Sequence, residues 1–262
     1  MRRVLPLVSA MFRHWGSLTL SFFAPGWGDI LAIEGGAFDY ITIGGVFSLL
    51  AGEERAALLQ WCRQNLSASG VIALQWQTLP GEHHAVELRQ ILQSLVVQSG
   101  AQGVDAQVAA ARAKLALLLA ELPAGELKAK VEEALRESDL ILTLRYLGQA
   151  GEPLDFSHFC ALVSENGLHY VGDVIPQYEL PQHYGDEIEA ACRESVDQSR
   201  TVNQQHLDNL LGRSQRFSLL SAVQGEHTPP PQPDLSLLGQ FHWAGNFRRM
   251  VNEEGAGRHR PH

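Results

Sequence analysis

Phe38-Asp39-Tyr40-Ile41-Thr42-Ile43-Gly44-Gly45 and, further on, Val71-Ile72-Ala73-Leu74-Gln75-Trp76 decide how this chain of 262 residues is read. Both are apolar runs of strand length, rich in β-branched and aromatic residues. Two glycines close the first and Thr78-Leu79-Pro80-Gly81 closes the second. Between them, residues 53–65 (EERAALLQWCRQN) have a helical period with Ala57, Leu58, Trp61 and Cys62 as the inner stripe, and Gly70 reads as the helix break. Strand, helix and strand in this order predict a parallel sheet with a crossover helix. The near-continuous apolar character of the strands predicts a sheet covered on both faces. Upstream, residues 18–23 (LTLSFF), closed by Pro25-Gly26-Trp27-Gly28, read as a further strand. Residues 3–15 read as a short amphipathic helix with Val4, Leu5, Val8 and Met11 on one face. Ligands of open α/β sheets sit beyond the carboxyl ends of the strands, so a site is expected in the loops 25–29, 44–47 and 75–81.

Beyond residue 82 the pattern turns helical. Residues 87–98, 105–122 and 126–136 predict three helices, which make a helical insertion of about 86–150. Asp105 is read as an N-cap, with Val108, Ala111, Leu115, Leu118, Leu119 and Leu122 as an apolar stripe. Residues 156–165 predict a helix stopped by Asn166-Gly167, residues 168–174 a late strand, and residues 187–211 a polar helix or pair. The resulting division is a sheet domain over 1–176, a mainly helical region over 177–227, and a stiff TPPPQP linker with a tail over 228–262.

Composition narrows the function. A formal net charge of −9 argues against binding nucleic acid by phosphate neutralisation. Cys62, Cys160 and Cys192 are far apart and form no metal or disulfide pattern. His83, His84 and Glu87 open a helix without a third ligand at the right spacing, so no metal is expected. The opening apolar run is short and has no small-residue cleavage site, and no stretch reaches the roughly eighteen apolar residues of a membrane span. A cytoplasmic protein without membrane segments is expected. No GxSxG, P-loop or HExxH is present, and no catalytic acid or base is identified.

What remains is a constellation of segments. Phe38-Asp39-Tyr40-Ile41 followed by Gly45-Val46-Phe47-Ser48 resembles the FDYI and HGVYSW-like fourth-strand motif of bacterial class I methyltransferases that carry a methyltransferase regulatory domain. Thr78-Leu79-Pro80-Gly81 resembles their NTxPGW motif. Tyr146-Leu147, Glu152-Pro153, Phe156 and His158-Phe159 resemble their YL…EPVYFHEF stretch, and Gly167-Leu168-His169-Tyr170 their GLQYL. Residues 213–220 (RSQRFSLL) resemble their RxFRxxLL segment. The resemblance runs with gaps over residues 18–220, and some family members resemble the lysine methyltransferases of outer-membrane proteins.

The resemblance implies a partial Rossmann-like α/β sheet with a helical insertion, S-adenosylmethionine as cofactor and a protein lysine as acceptor. It places Asp29 at the adenine amino group, Gly44 and Gly45 where backbone approaches the cofactor, and Phe47, Trp76, Gln77 and Thr78 around the acceptor; the residues alone read equally as an N-cap at Asp29, a turn at Gly44-Gly45, and core packing at Phe47 and Trp76. Methyl transfer from a sulfonium is an in-line displacement that needs alignment and exclusion of water more than acid–base groups. The chain departs from the family pattern at Gly44 (His there), Leu49 (Trp), Gln77 (Asn) and Glu82 (Trp). Nothing before Leu18 resembles the family's first strand and Gly-rich loop, so the chain is expected to lack the first cofactor-binding segment and, by itself, to bind the cofactor weakly or not at all. Residues 18–23 are then expected to leave an exposed strand edge open to self-association, or to pair in parallel with residues 38–43. The alternative is a non-enzymatic interaction or regulatory module, or a gene fragment, derived from a methyltransferase.

Overall fold

The computed structural model describes residues 8–11, 19–22, 38–148, 151–194 and 199–222, with side chains described from Phe38 onward apart from Glu194. These residues all lie in one compact unit. Its centre is a mixed sheet of six strands: β1 (Val8–Met11), β2 (Thr19–Phe22), β3 (Phe38–Ile43), β4 (Leu66–Gln77), β5 (His169–Asp173) and β6 (Gln215–Ser221), in the order β2-β1-β3-β4-β6-β5. The parallel pair β3–β4 is joined by the crossover helix α1 (Gly52–Asn65), as the sequence predicts. Three expectations are corrected around it. Residues 8–11 are strand, not helix. β2 pairs antiparallel with β1, which lies between it and β3, so the direct parallel pairing of residues 18–23 with 38–43 does not occur. Residues 215–221, placed in a mainly helical region by the sequence reading, form β6 between β4 and β5 and antiparallel to both.

Gly70 does not end α1. The helix stops at Asn65, whose side-chain amide donates to the Trp61 carbonyl at 2.9 Å, and β4 starts at the next residue. A Cβ on Gly70 would stand 2.8 Å from the Phe38 carbonyl and 2.7 Å from the Leu66 side chain, so this glycine lets β4 pass β3 closely where their register shifts.

Burial along the strands alternates rather than running continuous. Ile41, Ile43, Ile72, Leu74 and Trp76 are buried, while Tyr40 and Thr42 are exposed and Val71, Ala73 and Gln75 half-buried. The expectation of two equally covered faces is therefore corrected. The buried face packs against Leu58, Trp61 and Cys62 of α1 and Phe156, Phe159 and Val163 of α6 (Phe156–Glu165), forming one core. A second core holds the insertion together: α2 (His83–Gln98), α3 (Val104–Glu121), α4 (Glu126–Arg136) and α5 (Asp139–Leu142), the last continuing as a π-helical turn at Thr143–Leu147. Asp105 is not the N-cap of α3. Gly103 takes that position, and Asp105 lies in the first turn, where its charge favours the helix dipole. Helices α7 (Asp186–Glu194) and α8 (Arg200–Leu211) precede β6. No helix among the described residues is long and apolar enough to cross a membrane.

Candidate functional site at the carboxyl edge of the sheet

Phe22 and Ile43 both stand opposite Val8, so the carboxyl ends of β2 and β3 lie at one edge of the sheet. Parallel β4 ends at the same edge, past the Ile43–Leu74 pair. The three loops that the sequence assigns to a site therefore leave the sheet on one side, although residues 25–29, including Asp29, lie outside the described residues.

Gly45 has φ +68° with open space around its Cβ position. At Gly44 the nearest neighbour of a built Cβ is the Gln75 amide oxygen at 3.8 Å, so no close neighbour within the chain requires glycine there. The surface at both residues is bare backbone, which suits close approach of a ligand. The next residues turn inward. Phe47 is 1% exposed and meets Phe159 edge-on at 6.1 Å; Trp76, also 1% exposed, stacks on Phe159 at 4.0 Å and donates its indole N–H to Ser218 Oγ at 3.0 Å. Phe47 and Trp76 therefore follow the core reading and lie beneath the edge. Thr78 is buried, with Oγ1 donating to the Leu154 carbonyl at 3.0 Å. Gln77 alone of the four is not buried. Its backbone N–H donates to Ser48 Oγ at 2.7 Å, and in the orientation that satisfies both groups its amide oxygen accepts from Arg145 Nη2 at 2.9 Å.

Several charged residues that sequence reasoning missed build this edge. Arg55 of α1 is buried and donates to the carbonyls of Phe47 (3.0 Å), Ser48 (3.1 Å) and Glu152 (2.7 Å), which fixes the loop after β3. Burial draws its pKa down to about 10, against the Glu152 charge, and leaves it cationic at neutral pH. Arg145, from the π-helical turn, donates to Glu82 Oε2 at 2.6 Å and pairs with Glu133 at 3.2 Å. Burial opposes its charge, but Glu82 above all outweighs this and holds its pKa above the ordinary value. A small cleft of about 20 Å³ between Ser48, Gln77, Glu82, Arg89 and Arg145 has room for about one water. Burial pushes the thiols of Cys62 and Cys160 up to about 12, which makes neither a nucleophile at neutral pH. Among the described residues no group of His, Cys, Asp or Glu is arranged to hold a metal.

A larger cleft, about 650 Å³, opens beside Gln75 where β5 ends and β6 begins. Beneath it Arg216, fully buried, donates to Asp208 (2.8 Å from both Nε and Nη2) and Asp173 (2.7 Å) and lies 4.3 Å over the Phe156 ring. Burial opposes the Arg216 charge, and the hydrogen bond to Asp208 and the Asp173 carboxylate more than restore it, so its pKa rises. The only signal for this network in the sequence is the arginine spacing of residues 213–220.

Residues 138–221 match the family model described as a predicted methyltransferase regulatory domain. That stretch contains α5 to α8 with strands β5 and β6, so it supplies two of the sheet's strands and much of the wall of the larger cleft. The fold is similar to that of PKMT2 from Rickettsia typhi solved in complex with AdoHcy, with a TM-score of 0.59 and 21% identity over 73% of this chain and 38% of that one. A second structure of PKMT2 from Rickettsia typhi gives a TM-score of 0.57 at 22% identity, covering 73% of this chain and 37% of the other. The chain thus spans less than half the length of these solved relatives. No curated protein matches it. The chain thus contains, at residues 138–221, a stretch that matches the predicted methyltransferase regulatory domain, and it shares its fold with PKMT2 from Rickettsia typhi.

Proposed function

We propose that this chain serves methyl transfer from S-adenosylmethionine to a protein, with a lysine nitrogen as acceptor. The observation that carries the reading is the regulatory-domain match at 138–221, because its strand β6 is hydrogen-bonded along β4, whose carboxyl end forms part of the candidate site. AdoHcy, present with PKMT2 from Rickettsia typhi, is what S-adenosylmethionine becomes after giving up its methyl, and this supports the choice of cofactor. When bound, S-adenosylmethionine supplies a methyl on a sulfonium, open to in-line attack by an uncharged amine. Gly44 and Gly45 offer bare backbone to it, and Asp29 is proposed for the adenine amino group. Gln77 and Thr78 hold the far side of the same edge, while Phe47 and Trp76 support it from the core. The attack requires a neutral amine, which exclusion of water from the site favours. The reading places the protein in the cytoplasm, without nucleic-acid or membrane partners, and leaves the outer edge of β2 for self-association.

A second reading, a non-enzymatic interaction module, is favoured by the burial of Phe47 and Trp76 and by the engagement of the Gln77 amide with Arg145. Calorimetric titration of the full chain with S-adenosylhomocysteine separates the two. Saturable heat at micromolar concentration, lost in Gly44→Val, is expected for the enzyme. A folded chain giving no heat up to millimolar ligand rejects cofactor binding and leaves the module.

A further inference from the structure

The cleft of about 650 Å³ at the junction of β4, β5 and β6 falls within the roughly 300–1,000 Å³ of side-chain and small-ligand pockets. Its charged floor is already compensated. Arg213 pairs with Asp208 at 3.1 Å and Asp173 at 3.6 Å, and Arg216 pairs with the same two carboxylates, two cations against two anions. A charged side chain entering here would lose water and find no free counter-charge. The walls are apolar and open: Tyr178 is 46% exposed, Ile175 44% and Phe217 37%. Large apolar side chains gathered at a cavity rather than scattered over a surface mark a recognition site. One wall is stiffened, since the Tyr184 hydroxyl accepts from Arg213 at 3.0 Å and donates to the Tyr178 carbonyl at 3.1 Å. Gln75 and Gln215 add neutral amides able to hydrogen-bond a peptide backbone. The Gln75 amide oxygen lies 3.8 Å from where a Cβ on Gly44 would stand, so the cleft adjoins the bare backbone at the end of β3.

We infer that this cleft takes the uncharged segment, bearing aromatic or aliphatic side chains, that flanks the modified residue of an acceptor protein. The inference rests on the proposed methyl transfer, and its test is made independent of it. Short fluorescein-labelled peptides with a central lysine are compared by fluorescence anisotropy on the full chain without cofactor. One carries Phe, Tyr, Gln and Ser in its flanks, and another has Glu in place of the aromatics. The aromatic peptide is expected to bind about tenfold tighter, and to keep its affinity when its lysine is replaced by alanine. Tyr178→Ala and Ile175→Ser are each expected to weaken it several-fold with unchanged thermal melting, because both side chains are exposed. Equal binding of the two peptides, or full affinity in both variants, overturns the inference. Flank-dependent binding without methylation leaves the cleft assigned and defeats the methyl-transfer reading instead; methylation indifferent to the flanks does the reverse.

Discussion

Arg216 shows what a single residue contributes to this fold. A residue of β6, it is fully buried and reaches toward α8 and the end of β5, with Asp208 and Asp173 within 2.8 Å of its guanidinium. Arg216→Ala would leave those two carboxylates buried with Arg213 as their paired cation among the described residues, and removing one member of such a cluster costs about 3–5 kcal/mol. Urea denaturation of Arg216→Ala is expected to show a loss of that order or no folded state, with much of the loss recovered in the apolar double variant Arg216→Met/Asp208→Leu. A loss below about 1 kcal/mol in the single variant would show that the cluster holds nothing together. The sequence displayed the arginine as part of a family-like segment but gave no hint of its partners. Burial of a charge is decided by which distant side chains converge, and no local period encodes that.

At the scale of elements, the loop after β4 owes its shape to one close crossing. Thr78 N–H donates to the Ser214 carbonyl and Gly81 N–H to the Arg213 carbonyl, both at 3.0 Å. A Cβ on Gly81 would stand 2.3 Å from the Gly212 carbonyl and 2.5 Å from the backbone of Arg213 and Ser214. These are backbone atoms of a paired segment, so the loops must part. Gly81→Ala is expected to cost about 1–3 kcal/mol, as overpacking does, and to raise amide exchange together at 78–81 and 213–215. Gly44→Ala, whose Cβ meets nothing nearer than 3.8 Å, is the control that leaves exchange there unchanged. Unchanged protection in Gly81→Ala would refute the crossing. The sequence announced a turn at residues 78–81 correctly, because Pro and Gly mark turns by their own dihedral limits. What it hid is that the turn packs on a segment more than a hundred residues away. Gly70 misled for the same reason: a glycine after a helix reads as its stop, and only the neighbouring Phe38 carbonyl shows that close strand passage is its purpose.

The molecule as a whole keeps the expected parallel pair at its centre, but it completes the sheet with antiparallel strands drawn from both ends of the described chain. The β3–α1–β4 unit was legible because each element carries its own period and the connection is short. β6 was not, since RSQRFSLL is polar in its first half and follows a long helical stretch; its place is set by β4 and β5 on either side. The coverage of the sheet was misread too. Residues 71–76 look uniformly apolar, yet their larger members, Ile72, Leu74 and Trp76, point to the core while Val71, Ala73 and Gln75 do not. The two faces of β3 make this testable at adjacent positions. Ile41 is fully buried and Tyr40 is 60% exposed. Ile41→Ala is expected to lower stability by about 2–5 kcal/mol through the lost side chain and the cavity it leaves. Tyr40→Thr, which keeps a β-forming residue, is expected to stay within about 0.5 kcal/mol. Chemical denaturation of the two variants under one set of conditions checks this. A Tyr40→Thr loss approaching that of Ile41→Ala would mean that the outer face is packed as tightly as the inner one.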